Sequence, residues 1–187
     1  MGCLISWNSI LSVMDFFQHF QKDYYPDYIY TNMNFVMGVV FQFILIFYGS
    51  KFGTYKYMIL VSLITQIIVL LILPIAVSKT VGLSGFILSC FIILLLGLTN
   101  AVLLSSIFAL ISFLPFEYMI AMSLGQALSG ILMNIIRYFV TISIDSGKKL
   151  SKEETDYNAF LTGFIFFSSA AFLMIVNIVF LMVRRVY

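Results

Sequence analysis

The stretch TVGLSGFILSCFIILLLGLTNAVLLSSIFALISFLPF, residues 80–116, lies between Lys79 and Glu117 and carries no charge. About 20 consecutive apolar residues cross the hydrocarbon of a bilayer, so this run is too long for one ordinary span. Pro115 and Glu117 mark a break near its end, which places one long helix over residues 86–113 and a tight LPFE turn after it. The rest of the chain follows suit: 62% of residues are hydrophobic, 10% are charged, and the mean hydropathy is +1.08. A water-facing domain carries roughly 25% charged residues, so the solvent for most of this surface is lipid.

Working outward gives six segments of spanning length, at residues 2–20, 32–50, 57–77, 86–113, 117–143 and 157–183. Short polar connectors join them: QKDYYPDYIY, KFGTYKY, SKTVGLSG, LPFE and DSGKKLSKEETD. In lipid each backbone amide must find its partner inside its own segment, and the alternating strands of a β-barrel are absent. The expected fold is all-α, a polytopic membrane bundle of six transmembrane helices in one domain over residues 1–187. Lys and Arg divide between the two sides without a bias that fixes orientation. Tyr24, Tyr25, Tyr28 and Tyr30 read as an interfacial aromatic belt. Neither a basic leader nor an A-x-A site precedes the first span, which reads as retained rather than as a signal peptide. No Asn-x-Ser/Thr sequon marks an outer face.

The net charge of +2 comes without a basic block, which sets nucleic acid aside as a partner. Cys3 and Cys90 sit in apolar runs and read as small hydrophobes, not as a disulfide framework. The single His, with no Cys/His metal spacing, no phosphate-binding glycine loop and no Gly-x-Ser-x-Gly elbow, leaves no catalytic constellation. The chain reads as a non-enzyme with neither metal nor cofactor.

Polar residues inside spans are costly, so those present should face the bundle interior, a cavity or a partner helix. At 3.6 residues per turn the first span aligns Asn8, Ser12, Asp15 and His19, with Trp7, Leu11 and Met14 beside them and Leu4 at the edge. Interhelical hydrogen bonding and cavity lining are both open for this stripe. Asp15, His19 and Arg137 are the candidates for proton coupling, Asp15 equally for structural pairing, while a solvated interfacial position is the favoured reading of His19. In the second span Asn34, Gly38, Gln42, Leu45 and Gly49 share a face suited to a tight helix contact or a ligand contact. The fifth span carries Ser123, Gln126, Gly130, Asn134, Arg137 and Thr141, beside the small-residue row Ala121, Gly125, Ser129. Gly125, Ser129 and Gly130 are the expected packing positions. Arg137 needs carbonyls, water or a carboxylate, with Asp15 and Glu117 as the candidates by type.

The run GCLISWNSILSVMDFF, residues 2–17, resembles the first-helix signature of the equilibrative nucleoside transporters: Leu-x-x-Trp-Asn, then an Asp or Gln followed by aromatics. The segment NAVLLSSIFALISFLPFEYMIAMSLGQALSGILMNIIRYF, residues 100–139, is similar to the fourth and fifth helices of that family, with its Leu-Pro turn, Gly-Gln-x-Leu-Ser-Gly motif and a later Arg. The two blocks fall in the expected order and separation, and the remainder matches by hydropathy. The resemblance implies the amino-terminal six-helix half of a major-facilitator-like fold, with the five-helix half lying beyond Tyr187. It also implies nucleosides or nucleobases as substrates, carried by facilitated or proton-coupled alternating access, and a plasma-membrane location. By position it assigns Leu4, Trp7 and Leu11 to the substrate from the first helix and Gln42 and Leu45 from the second. Asn100, Leu104 and Gln126 join them from the two quoted helices. Leu104 stands where some members have a base-reading glutamine, which puts base preference in question. The implied partners are the bilayer and either a five-helix half or a second copy of the chain. A half-transporter for another small solute and a truncated, non-transporting membrane protein are the alternative readings.

Overall fold

A computed structural model of the chain describes residues 2–48, 54–80, 82–144 and 152–183, and every regular element among them is a helix. In order these are α1 (Gly2–Ser12), α2 (Met14–Gln21), a 3-10 turn (Lys22–Tyr24), α3 (Pro26–Tyr48), α4 (Tyr55–Lys79), α5 (Leu83–Ile111), α6 (Phe116–Ile144) and α7 (Lys152–Val183). Five helices have the length and hydropathy to cross a bilayer: α3, α4, α5, α6 and, within α7, Thr155–Phe180.

The first expected span, residues 2–20, is not one helix. It is α1 and α2, of 11 and 8 residues, or about 16 and 12 Å at 1.5 Å per residue, each too short to cross alone. The break falls at Val13 (φ −117°, ψ 34°), whose N–H turns back to the Ile10 carbonyl at 3.2 Å in an i→i−3 bond. Neither proline nor glycine lies there. One turn earlier Ser9 donates its hydroxyl to the Ile5 carbonyl at 2.5 Å.

The next helix also starts earlier than its hydropathy indicates. Pro26 occupies the first turn, where its fixed φ suits the helix and its missing N–H costs nothing. Asp27 beside it complements the positive end of the helix dipole. Tyr25, at φ 47°, turns the chain into this start.

Together α1 and α2 touch each of the helices from α3 to α7 and so form the centre of the bundle. Ile5, Ile10 and Phe17 are fully buried there, against a core that includes Leu70 and Leu73 of α4, Leu96 of α5, Met133 of α6 and Phe167 of α7. Lipid tails are as apolar as these side chains, so contact density and interhelical hydrogen bonds hold the helices together. α3 lies on α5 closely enough that a Cβ on Gly97 would stand 2.8 Å from the Asn34 carbonyl oxygen. α7 lies on α2 closely enough that a Cβ on Gly163 would stand 2.8 Å from the Phe16 ring.

The tyrosine belt requires correction. Tyr25 and Tyr28 are exposed, but Tyr30 is fully buried, edge-on to Phe17 and stacked near Phe86. Tyr24 stacks on the same Phe86. These aromatics form a wall of the core that fastens α2 to α3 and α5.

Candidate functional site

The polar residues of the first span divide into two groups. Ser6, outside the stripe, belongs to a buried network. Its hydroxyl lies 3.1 Å from Gln66 Oε1 and 3.3 Å from Asn100 Oδ1, and Gln66 Nε2 donates to that same Asn100 oxygen at 2.9 Å. Gln66 is fully buried. This triad joins α1, α4 and α5, and its amides satisfy one another rather than a ligand. Gln66 escaped the reading of the sequence because the third span was read only for hydropathy. A lone amide in mid-span, the feature that drew attention to Gln42, was the available signal.

Further along, α1 and α2 are laddered onto α6. Asn8 Nδ2 donates to Ser129 Oγ at 2.9 Å, and Ser12 Oγ donates to Asn134 Oδ1 at 3.1 Å. Arg137 pairs with Asp15 through the guanidinium Nη2. Residue number rises on both helices from one rung to the next, so the two helices run parallel. The packing residues fit this contact: Gly125 and Ser129 are buried, and Gly130 lies beside the Asn8 amide. Ser123 and Thr141, at the two ends of the α6 stripe, are exposed. Of the two carboxylates considered for Arg137, Asp15 is the partner and Glu117 is exposed elsewhere.

The last rungs are open. Asp15 is 75% exposed at its side chain and Arg137 37%. One turn on, His19 Nε2 meets Asp156 Oδ1 of α7 at 2.7 Å. An open cleft of about 650 Å³ runs over this end of α2, with Asp15, His19, Lys22, Asp23 and Asp27 on its walls. Beneath it, Asp15, His19 and Arg137 also border a cavity of about 270 Å³ between α2, α6 and α7. The three coupling candidates thus lie together, and Asp156 is a fourth member that the hydropathy of the sequence did not signal. Among the described residues no group of His, Cys, Asp and Glu is placed to hold a metal ion.

The substrate candidates are not all brought together. Leu4 and Trp7 are half-buried on α1, Trp7 against the core, while Leu11 is 43% exposed. At spacings of three and four residues they follow one face, which continues to Asp15. Leu104 is half-buried against the core, and Asn100 is engaged in the triad. Gln126 has a buried amide nitrogen without a partner. Gln42 and Leu45 stand apart, on a separate cavity of about 310 Å³ between α3, α4 and α5. Gly49, the last position of their row, lies outside the described residues, as do residues 51–53 of the KFGTYKY connector and 145–151 of the DSGKKLSKEETD connector.

No family model matches the chain. It is similar to the Equilibrative nucleotide transporter 1 of Arabidopsis thaliana, 25% identical over 142 residues that make up 73% of this chain and 32% of that one. It is similar also to Equilibrative nucleotide transporter 3 of the same plant, at 27% over 73% of this chain and 33% of that one. With Equilibrative nucleotide transporter 7 the figures are 25%, 78% and 36%. The chain spans about a third of the length of the relatives it matches. The five apolar helices among the described residues support an integral, multi-pass membrane protein, and the similarities, at low identity, are to transporters. The relatives are named as transporters, which are not enzymes.

Proposed function

We propose that the chain is one six-span transmembrane domain, with α1 and α2 together forming a broken first span, and that it serves as the amino-terminal half of a nucleoside or nucleobase transporter. In this reading the fold is the first half of a major-facilitator-like transporter, working in the plasma membrane beside a five-helix half. The substrate class is taken from the family resemblance and from the nucleotide transporters it matches. The observation that carries the two-body part is the open edge of α1 and α2. The element at the centre of the bundle leaves Leu11 and the Asp15–Arg137 pair uncovered. Ionisable groups within membrane helices face a bundle interior or a water-filled cavity, and a second half set against this edge supplies both. Substrate then lies on the face of Leu4, Trp7 and Leu11, with Trp7 giving a flat apolar surface and the unpartnered Gln126 amide a donor. Rocking of one half against the other opens that face to each side in turn, and Asp15, His19 and Arg137 are the groups through which a proton gradient would act.

The test is uptake of labelled adenosine, inosine and hypoxanthine in cells expressing this chain alone or with a candidate five-helix half. Saturable uptake is expected only with both halves. Saturable nucleoside uptake by the purified chain, monomeric in liposomes, would refute the two-half mechanism.

A further inference from the structure

We infer that Asn134, held by Ser12, reads the sugar of the substrate together with Asp15, an assignment that rests on the transport function proposed for the chain. The protein then carries ribonucleosides in preference to deoxy sugars and free bases.

Asn134 lies well inside α6, yet it is exposed. Its Oδ1 accepts from the Ser12 hydroxyl at 3.1 Å, and Ser12 is itself buried, beside the exposed Leu11. That bond sets which way round the amide stands: the oxygen faces α1 and the nitrogen is turned from it. Among the described residues Nδ2 donates to nothing. One turn back, Gly130 keeps the α6 surface low beside the amide, since a Cβ there would meet only Asn8, at 3.5 Å. A polar group so placed in a spanning helix faces a water-filled cavity or a ligand.

The adjoining rung supplies the complement. Asp15 holds Arg137 through Oδ2, and its side chain is 75% exposed, which leaves Oδ1 as an acceptor. Side chains three residues apart on a helix stand about 5–6 Å from one another. Two hydroxyls on neighbouring carbons, each making one bond of about 2.8 Å, bridge such a gap, one accepting from Asn134 and the other donating to Asp15. A base edge fits less well, because an asparagine needs both amide atoms for its bidentate pair with adenine and the oxygen is already taken by Ser12. Trp7 and Leu11 lie about 6 Å apart along α1, on the face that continues to Asp15. A base laid on them brings its sugar to the Asn134 and Asp15 rungs.

Uptake of tritiated adenosine, 2′,3′-dideoxyadenosine and adenine, in cells expressing the chain with a five-helix half, tests this. The unaltered protein should take up adenosine about tenfold better than either of the others, as kcat/KM. Asn134→Ala removes one hydrogen bond to the diol, so the ratio of adenosine to dideoxyadenosine should fall about fivefold. Ser12→Ala frees the amide to turn and should lower the same ratio about twofold. Both substrates are measured on one protein, so a poorer yield of folded variant leaves the ratio as it was, and a purely structural role lowers both alike. Ser12→Ala carries the test if Asn134→Ala does not fold. Dideoxyadenosine or adenine taken up as well as adenosine, or a ratio that both variants leave unchanged, overturns this assignment while transport stands. Saturable uptake of none of the three overturns both.

Discussion

The two ends of the broken first span treat polar groups in opposite ways. Around α1, Ser6 meets Gln66 and Asn100 in a set of neutral groups, two of them fully buried, that holds three helices together. Around α2, Asp15, His19, Arg137 and Asp156 are charged or chargeable, with Asp15 and His19 on the walls of an open cleft and paired to Arg137 and Asp156. Neutral amides can be satisfied inside a dry bundle at modest cost, whereas ions need water or a strong partner. The difference teaches that neutral side chains fasten helices to one another around α1, while the ionisable groups gather where α2 is open. Each prediction below tries to break that division, beginning with the largest effect.

The closed side has no room to yield. In Gly97→Ala the new Cβ would face a backbone carbonyl of α3 at 2.8 Å, and backbone cannot swing aside. Overpacking of this kind costs about 1–3 kcal/mol, and we expect the upper end of that range. In Gly163→Ala, on the α2 side, the same 2.8 Å separates the new atom from the Phe16 ring, which can turn. We expect Gly97→Ala to lose most of its folded protein on detergent extraction and Gly163→Ala to keep most of it. Equal losses would mean that α2 is held as rigidly as α3.

The triad should respond as a set. Gln66→Leu removes two of the three bonds and leaves Ser6 and Asn100 only each other, at 3.3 Å, for a cost of about 1–3 kcal/mol. Adding Asn100→Leu and Ser6→Ala removes the remaining polar groups, so the triple variant should recover a large part of the loss. Denaturant titration of the single and triple variants in micelles measures both steps. A triple variant that is the sum of the three single losses would show that the groups do not act together.

Much of this division was legible in the residues. The 3.6-residue spacing put Asn8, Ser12 and Asp15 on one face, Asn134 and Arg137 on another and Ser129 in the small-residue row beside it, and the structure joins them rung by rung. Three features were not legible, each for a physical reason. The break at Val13 has neither proline nor glycine to mark it in the sequence. Tyr30 has the composition of an interfacial residue, but its position on α3 turns it toward Phe17 and Phe86. Asp156 belongs to a polar connector by hydropathy, and only the fold brings it to His19. The separation of Gln42 and Leu45 from Trp7 likewise depends on how α3 sits against α4 and α5, which periodicity along one helix does not specify.

The smallest effect on stability, and the sharpest probe of the open end, is expected at Asp15–Arg137. With its side chains 75% and 37% exposed and Asp15 on the wall of an open cleft, the pair is solvated in the chain alone. Solvated ion pairs contribute about 0.2–1 kcal/mol by double-mutant cycle. Asp15→Asn, Arg137→Gln and their combination should therefore unfold within about 1 kcal/mol of the unaltered chain, with a coupling energy inside that same range. The result should change when a second half covers the edge. Removing one ion then leaves the other buried and unpaired, which costs about 3–5 kcal/mol. Either single variant should thus assemble poorly with a five-helix half, while the double variant, which has no ion left to strand, should assemble better than both. Repeating the cycle on the assembled pair measures this directly. If the coupling stays below 1 kcal/mol there too, this edge faces water or lipid headgroups in the working protein, and the second half must dock on another face.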